Sequence, residues 1–494
     1  MKRKIEKLPG ESAMNAELLY QPLIAEIGKN ARAGKKLTLG EMVDLAERLG
    51  VRLSDVVIAE AMERHHMTAG EVINAVLEAF KFNLLALEIG LTRGNSFLLG
   101  TIGRELEEKR RHGSAVIGDR FIDKAVVYTL ATEVGNHEVG LQPCAGTGDS
   151  CVYTGLLKAL LETRRSRREI GRLAALIIKI GTFFKEGKKT TGCNMEGFGA
   201  GAACTAAALA EMGKGSPRQV AKAIVLAISP TIGVPCTPRV IVSGLCATHI
   251  GGAILIGNLA ANLALKTSIA VPIDVDVMLA MAAAVHAQAA PVITEINLDY
   301  MRPYFKKEPI VDSFIVPDIL GQEQEMAGRI LERAREEVRR FAESANPLIS
   351  PFGEAVVGGS SIAVGSPTNM GRIAHELFQG DIRKVTIELT TDLFARRAIN
   401  VPGILMGAVL GASTKDIKAY HGILKEITRR GIVVEIKQVE VPEVQRISIE
   451  ATGRSAFVDA LNRGGGRLKL LDARPSLAEA RAAATRLGIK LAEE

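Results

Sequence analysis

The chain is 494 residues long, 47% apolar and 4% aromatic with no Trp, and it carries a formal charge of +7. That length suggests two or three domains, and the apolar fraction fills a sizeable core, which excludes a disordered chain. The positive charge is dispersed and no aromatic-rich basic strand accompanies it, so the sequence argues against nucleic-acid binding.

Met1-Lys2-Arg3-Lys4-Ile5-Glu6 has charge without an apolar stretch behind it, so no signal peptide is expected. Residues 15–90 read as short amphipathic helices. Thr38 and Thr68 each stand three residues before a Glu, Glu41 and Glu71, the pattern of a capping box. Helical character continues over 120–140, 155–181, 200–212 and 217–228, the last opened by Ser216-Pro217. The basic run Arg164-Arg165-Ser166-Arg167-Arg168 is read as a solvated helix face. From Val240 to Leu265 there is no Asp, Glu, Lys or Arg, a stretch longer than the roughly 18 residues that suggest a membrane span. It contains Cys246, His249, Asn258 and Asn262 together with several glycines, which favours a fully buried helix preceded by a loop; no membrane insertion is expected. Residues 275–300 form another apolar segment, and a charged helix follows at 321–344.

Beyond Asn346-Pro347 the character changes. Residues 384–389, 432–439 and 445–450 alternate apolar and polar side chains as strands do, while 371–379, 403–411, 415–430 and 454–463 read as helical. The expected architecture is a mainly α catalytic domain over 15–305, a connecting helix over 306–345 and an α+β domain over 346–494. Six cysteines are too few for a disulfide scaffold, so a reducing, cytoplasmic setting is expected.

Three of those cysteines lie in Gly- and Pro-rich contexts: Thr191-Gly192-Cys193-Asn194-Met195-Glu196-Gly197, Gly233-Val234-Pro235-Cys236-Thr237-Pro238 and Ser243-Gly244-Leu245-Cys246-Ala247-Thr248-His249. Thiolates are the natural ligands of iron–sulfur clusters, and three of them leave one iron open as a Lewis acid. The gaps, 43 residues from 193 to 236 and 10 from 236 to 246, are too long for a ferredoxin-like run. Buried structural thiols are the ordinary alternative, and spacing leaves both readings open.

The local sequences resemble iron–sulfur-dependent L-serine dehydratases. Gly192-Cys193-Asn194-Met195-Glu196-Gly197, followed by an Ala-rich helix ending Ala208-Leu209-Ala210-Glu211, is similar to the G-C-Q-x-E-[VI]-G…A-A-A-L-x-E pattern of their catalytic α segment. The Pro235-Cys236-Thr237-Pro238 and Leu245-Cys246 segments resemble the family's L-T-C-D-P and V-P-C-I-E-R-N. Gln142-Pro143-Cys144-Ala145-Gly146-Thr147-Gly148 resembles the P-T-[AN]-G-[SA] substrate loop, and Lys185 matches the I-I-K before the first ligand. The second domain is more distantly similar to the family's β segment, through Met370-Gly371-Arg372-Ile373-Ala374-His375-Glu376-Leu377. Two family motifs with His are altered there, at Gly365–Met370 and at Ala398–Pro402.

The resemblance implies that Cys193, Cys236 and Cys246 hold a 4Fe–4S cluster and that no pyridoxal phosphate is needed. It implies an L-serine ammonia-lyase of amino-acid catabolism, feeding gluconeogenesis, that releases pyruvate and ammonia. A small amino acid would meet Cys144, Ala145, Gly146, Thr147, Gly148 and Asn258. His249, three residues after Cys246 and on the same helical face, is a candidate base; His137 and Lys185 are its rivals. Cys144 stands where the family has Thr, and as a fourth ligand it would close the open iron. L-Cysteine or L-threonine as substrate, or a non-catalytic amino-acid or redox sensor, are the alternatives. A homodimer is expected, Cys204 is assigned to the core, and His65, His66 and His286 are read as structural.

Overall fold

The computed structural model describes residues 19–32, 36–142, 150–184, 196–233, 245–304, 307–344, 348–349, 355–358, 365–439, 444–463 and 465–492. The chain divides into two compact units, Met1–Glu336 and Glu337–Glu494. The first is helical and the second carries a small mixed sheet with helices.

The helical unit contains α1 (Gln21–Arg32), α2 (Leu39–Leu49), α3 (Leu53–His65), α4 (Ala69–Ala79), α5 (Lys81–Thr92), α6 (Ile102–Arg111) and α7 (Arg120–Val139). It continues with α8 (Cys151–Leu161), α9 (Arg167–Phe183), α10 (Gly201–Met212), α11 (Pro217–Ile228), α12 (Leu245–Lys266), α13 (Val275–Met301) and the single turn α14 (Pro309–Asp312). The helix α15 (Pro317–Ser344) runs across the division between the units. Capping boxes form at Thr38–Glu41, Thr68–Glu71 and Ser216–Gln219.

Two expectations for the helical unit are corrected. Residues 155–181 are not one helix, because Ser166 accepts a hydrogen bond from the Glu169 N–H and starts α9 afresh. The basic run therefore straddles a turn and a helix start instead of lining one helix face. The second correction concerns α12, which is half-buried, not fully buried: it packs on α10 and α11 and leaves Leu255 and Leu259 exposed. By length and composition α12 and α13 are each long and apolar enough to cross a membrane, and α13 is the less buried of the two.

The helices around α7 approach unusually closely. A Cβ on Gly135 of α7 would lie 1.9 Å from the Ala86 carbonyl oxygen of α5, and one on Gly90 of α5 would lie 1.8 Å from the Ala131 carbonyl oxygen of α7. Only hydrogen fits at either position, so these glycines set the spacing of the two helices.

In the second unit α16 (Ser366–Leu377), α17 (Thr391–Ala395), α18 (Arg397–Leu410), α19 (Ile417–Arg430) and α20 (Leu477–Arg486) accompany β1 (Ile382–Thr390), β2 (Val433–Val439), β3 (Val444–Ala451), β4 (Ala456–Asn462) and β5 (Leu468–Arg474). The strand order is β2-β1-β3-β4-β5, with β1 and β2 parallel and the other pairs antiparallel. Val385, Ile387, Leu389, Ile447, Ile449 and Val458 are buried in the core with Met370 and Ile373 of α16. Within residues 454–463, expected as helix, the chain forms the strand β4. Pairing with β3 on one side and β5 on the other satisfies the backbone of this short segment, and tertiary context overrides its local helical pattern.

Candidate active site

The last two turns of α7 carry Glu133, Asn136 and His137 on one face, at the i, i+3 and i+4 spacing that makes helical neighbours. The start of α8 brings Cys151 to this face, and the first turn of α12 brings Cys246. Glu133 is 5% exposed and is the common acceptor. Cys151 Sγ donates to its Oε2 at 2.6 Å, Cys246 Sγ lies 3.7 Å from Oε1, His137 Nε2 lies 3.2 Å from Oε1, and Asn136 Nδ2 donates to Oε2 at 3.2 Å. Burial pushes the Glu133 carboxyl up, but the hydrogen bonds from His137 and Cys151 outweigh it and hold the group below the usual carboxylate range.

The protonation of His137 follows from its other neighbour. Ser96 Oγ accepts hydrogen bonds from the N–H groups of Leu98 and Leu99, at 3.2 and 3.0 Å. Both of its lone pairs are then used, so its own proton points to His137 Nδ1, 2.5 Å away. Nδ1 is therefore the acceptor nitrogen, and Nε2 carries the hydrogen donated to Glu133. Both nitrogens of His137 are engaged, and this ring orients Glu133.

His249 differs. It stands one turn beyond Cys246 on α12, 5% exposed, and its Nε2 is buried without a hydrogen-bond partner. Its ring lies against Phe198, centroids 4.4 Å apart at 46°. Phe198 belongs to a π-helical turn, Glu196–Ala200, a geometry enriched at functional sites. An orphaned buried imidazole nitrogen is costly unless something else meets it.

Of the residues singled out by sequence, His137, His249 and Cys246 are described, at the ends of α7 and α12, which pack together. Asn258 is not brought to Cys246: twelve residues of helix separate them, roughly 18 Å along the axis. Its Oδ1 accepts from Asn262 Nδ2 at 3.1 Å. Cys144, Ala145, Gly146, Thr147, Gly148, Lys185, Cys193 and Cys236 lie outside the described residues. Cys204 is fully buried and donates to the Ile177 carbonyl oxygen at 3.0 Å, as a core thiol. Sequence reasoning missed Glu133 and Cys151; the available signal was the polar trio Glu133, Asn136 and His137 closing an otherwise apolar helix.

Of the three thiols expected to hold an iron–sulfur group, Cys246 is the one among the described residues, and a buried sulfur is the donor type such a group takes. Cys246 is a buried soft donor in the first turn of a helix. Among the described residues no group of three or more His, Cys, Asp or Glu side chains is placed to hold a metal ion.

Residues 48–297, just over half the chain, match the family model of the serine dehydratase alpha chain. The L-serine dehydratase alpha chain of Peptoniphilus asaccharolyticus is 25% identical over 268 residues, covering 49% of this chain and 86% of that protein. The probable L-serine dehydratase alpha chain of Bacillus subtilis (strain 168) is 26% identical over 212 residues, covering 40% of this chain and 68% of that protein. Both matches are consistent with the resemblance carried by the cysteine segments. The chain belongs to the serine dehydratase alpha chain family, whose members are lyases.

Proposed function

We propose that the protein is an iron–sulfur-dependent L-serine ammonia-lyase that forms pyruvate and ammonia. The observation that carries the reading is the unpartnered Nε2 of His249, one turn from the buried Cys246. Cys193, Cys236 and Cys246 would hold the cluster, which would supply a Lewis-acid iron for the departing β-hydroxyl.

His249 Nε2 takes the α-proton of the substrate, having no competing hydrogen bond to give up. Glu133, kept ionised by its donors, fixes His137, Asn136 and the start of α8 around the reacting volume. Loss of the α-proton and the β-hydroxide leaves an enamine, which becomes the imine and takes up water to give pyruvate and ammonia. The segment from Cys144 to Gly148 would present backbone N–H groups to the substrate carboxylate. We read residues 15–305 as the catalytic part, 306–345 as a connector and 346–494 as a divergent β-like part, in a cytoplasmic homodimer.

Anaerobic purification, followed by iron and sulfide analysis, absorbance near 400 nm and pyruvate release from L-serine, tests the reading. Iron with release from L-serine supports it. Pyruvate from L-cysteine alone, or 2-oxobutanoate from L-threonine alone, reassigns the substrate, and a folded, reconstituted protein without iron overturns it.

A further inference from the structure

Asn83, in the first turn of α5, is 4% exposed and spends its whole amide on two residues distant in sequence. Its Oδ1 accepts from the Gln142 N–H at 2.9 Å, and its Nδ2 donates to the Gln142 carbonyl oxygen at 3.0 Å. The same Nδ2 donates to Ser150 Oγ at 3.2 Å, and Ser150 Oγ closes the ring by donating to the Gln142 carbonyl oxygen at 2.8 Å. Gln142 and Ser150 are the last residue before and the first after the glycine-rich segment Pro143–Asp149, whose own residues lie outside those described. Ser150 also immediately precedes Cys151, whose thiol reaches Glu133. A buried amide with every donor and acceptor used in this way is expensive to replace.

We infer that Asn83 is a positioning residue for substrate binding. It pins both ends of the glycine-rich segment to α5 and registers the start of α8 against Glu133. The inference rests on the lyase reading, because it takes the segment between the pinned ends as the one that meets the amino-acid carboxylate. Asn83 touches neither substrate nor cluster, so its loss should act on binding more than on turnover.

The test compares Asn83→Ala and Ser150→Ala with wild type, each anaerobically reconstituted as the full chain. Expected for Asn83→Ala is a KM for L-serine raised about tenfold or more, with kcat changed less than about threefold and with unchanged iron content and 400 nm absorbance. Ser150→Ala removes two of the four bonds and should shift KM in the same direction by less, and it decides the matter if Asn83→Ala does not fold. An unchanged KM in the folded variants, or a loss confined to kcat or to iron, overturns the inference and leaves the lyase reading standing. A wild-type protein that binds iron but releases no pyruvate overturns both.

Discussion

In the helical unit Glu133 gathers donors from α7, α8 and α12, whereas in the C-terminal unit Arg446 and Asp459 meet across two adjacent strands, doubly bonded at 2.6 Å. Arg446 and Asp459 are direct partners in the β3–β4 ladder, so their pairing reports the register of the sheet. The donors to Glu133 come from positions 18 and 113 residues away as well as from its own helix. A sheet pair is built by local registry. The carboxylate in the helical unit needs the whole bundle to be assembled, and a buried group held at that cost is where chemistry is to be sought.

The largest expected effect comes from Cys246→Ser, which should remove both iron and pyruvate release, while Cys204→Ser should spare both; iron analysis beside the activity assay reads the contrast. Glu133→Gln should follow, lowering iron retention or activity by about 10–100-fold with helicity kept, since one oxygen that accepted hydrogen bonds becomes a donor. Retention of both at wild-type level would reduce Glu133 to the status of the Arg446–Asp459 pair. Gly135→Ala should cost about 1–3 kcal/mol in urea unfolding, because its Cβ would collide with the Ala86 carbonyl oxygen.

A smaller, pH-dependent effect is expected at Glu211. Burial raises its pKa against the opposing hydrogen bonds from Ser54, so the folded state favours the protonated acid. Its favourable contribution is complete below the ordinary carboxylate pKa and is lost as pH rises through the elevated one. Glu211→Gln should therefore match wild type in Tm near pH 4 and exceed it increasingly toward pH 8; a constant difference across that range would contradict the sign. The smallest effect is assigned to the sheet: a double-mutant cycle of Arg446→Ala and Asp459→Ala should give about 0.2–1 kcal/mol of coupling, as Arg446 is substantially solvated, with pyruvate release unchanged.

What was legible in the sequence follows the range of the interactions. The capping boxes at Thr38, Thr68 and Ser216 are complete within four residues, and their helices begin where those residues say. The strands at 384–389 and 445–450 were readable because buried apolar residues recur along them, and the edge strand at 432–439 from its β-branched alternation. The segment 456–462 was misread because its strand character is imposed by neighbours on both sides. Of the site, Cys246, His249 and His137 were visible from residue type and context. Glu133 was not, since nothing near it in the chain announces a thiol 113 residues ahead; nor was the pairing of Asn83 with the two sides of a glycine-rich segment, 59 and 67 residues on.

Ser96 has a consequence of its own. The two N–H groups that use up its lone pairs are main-chain groups, those of Leu98 and Leu99. The direction of every hydrogen along the line from Ser96 through His137 to Glu133 is thus set by the polypeptide backbone. The line is correspondingly robust to drift: exchanging the side chain at 98 or 99 leaves its polarity untouched. Proline, which has no N–H, is the one residue at those positions that would let the hydroxyl turn around and the imidazole exchange its proton.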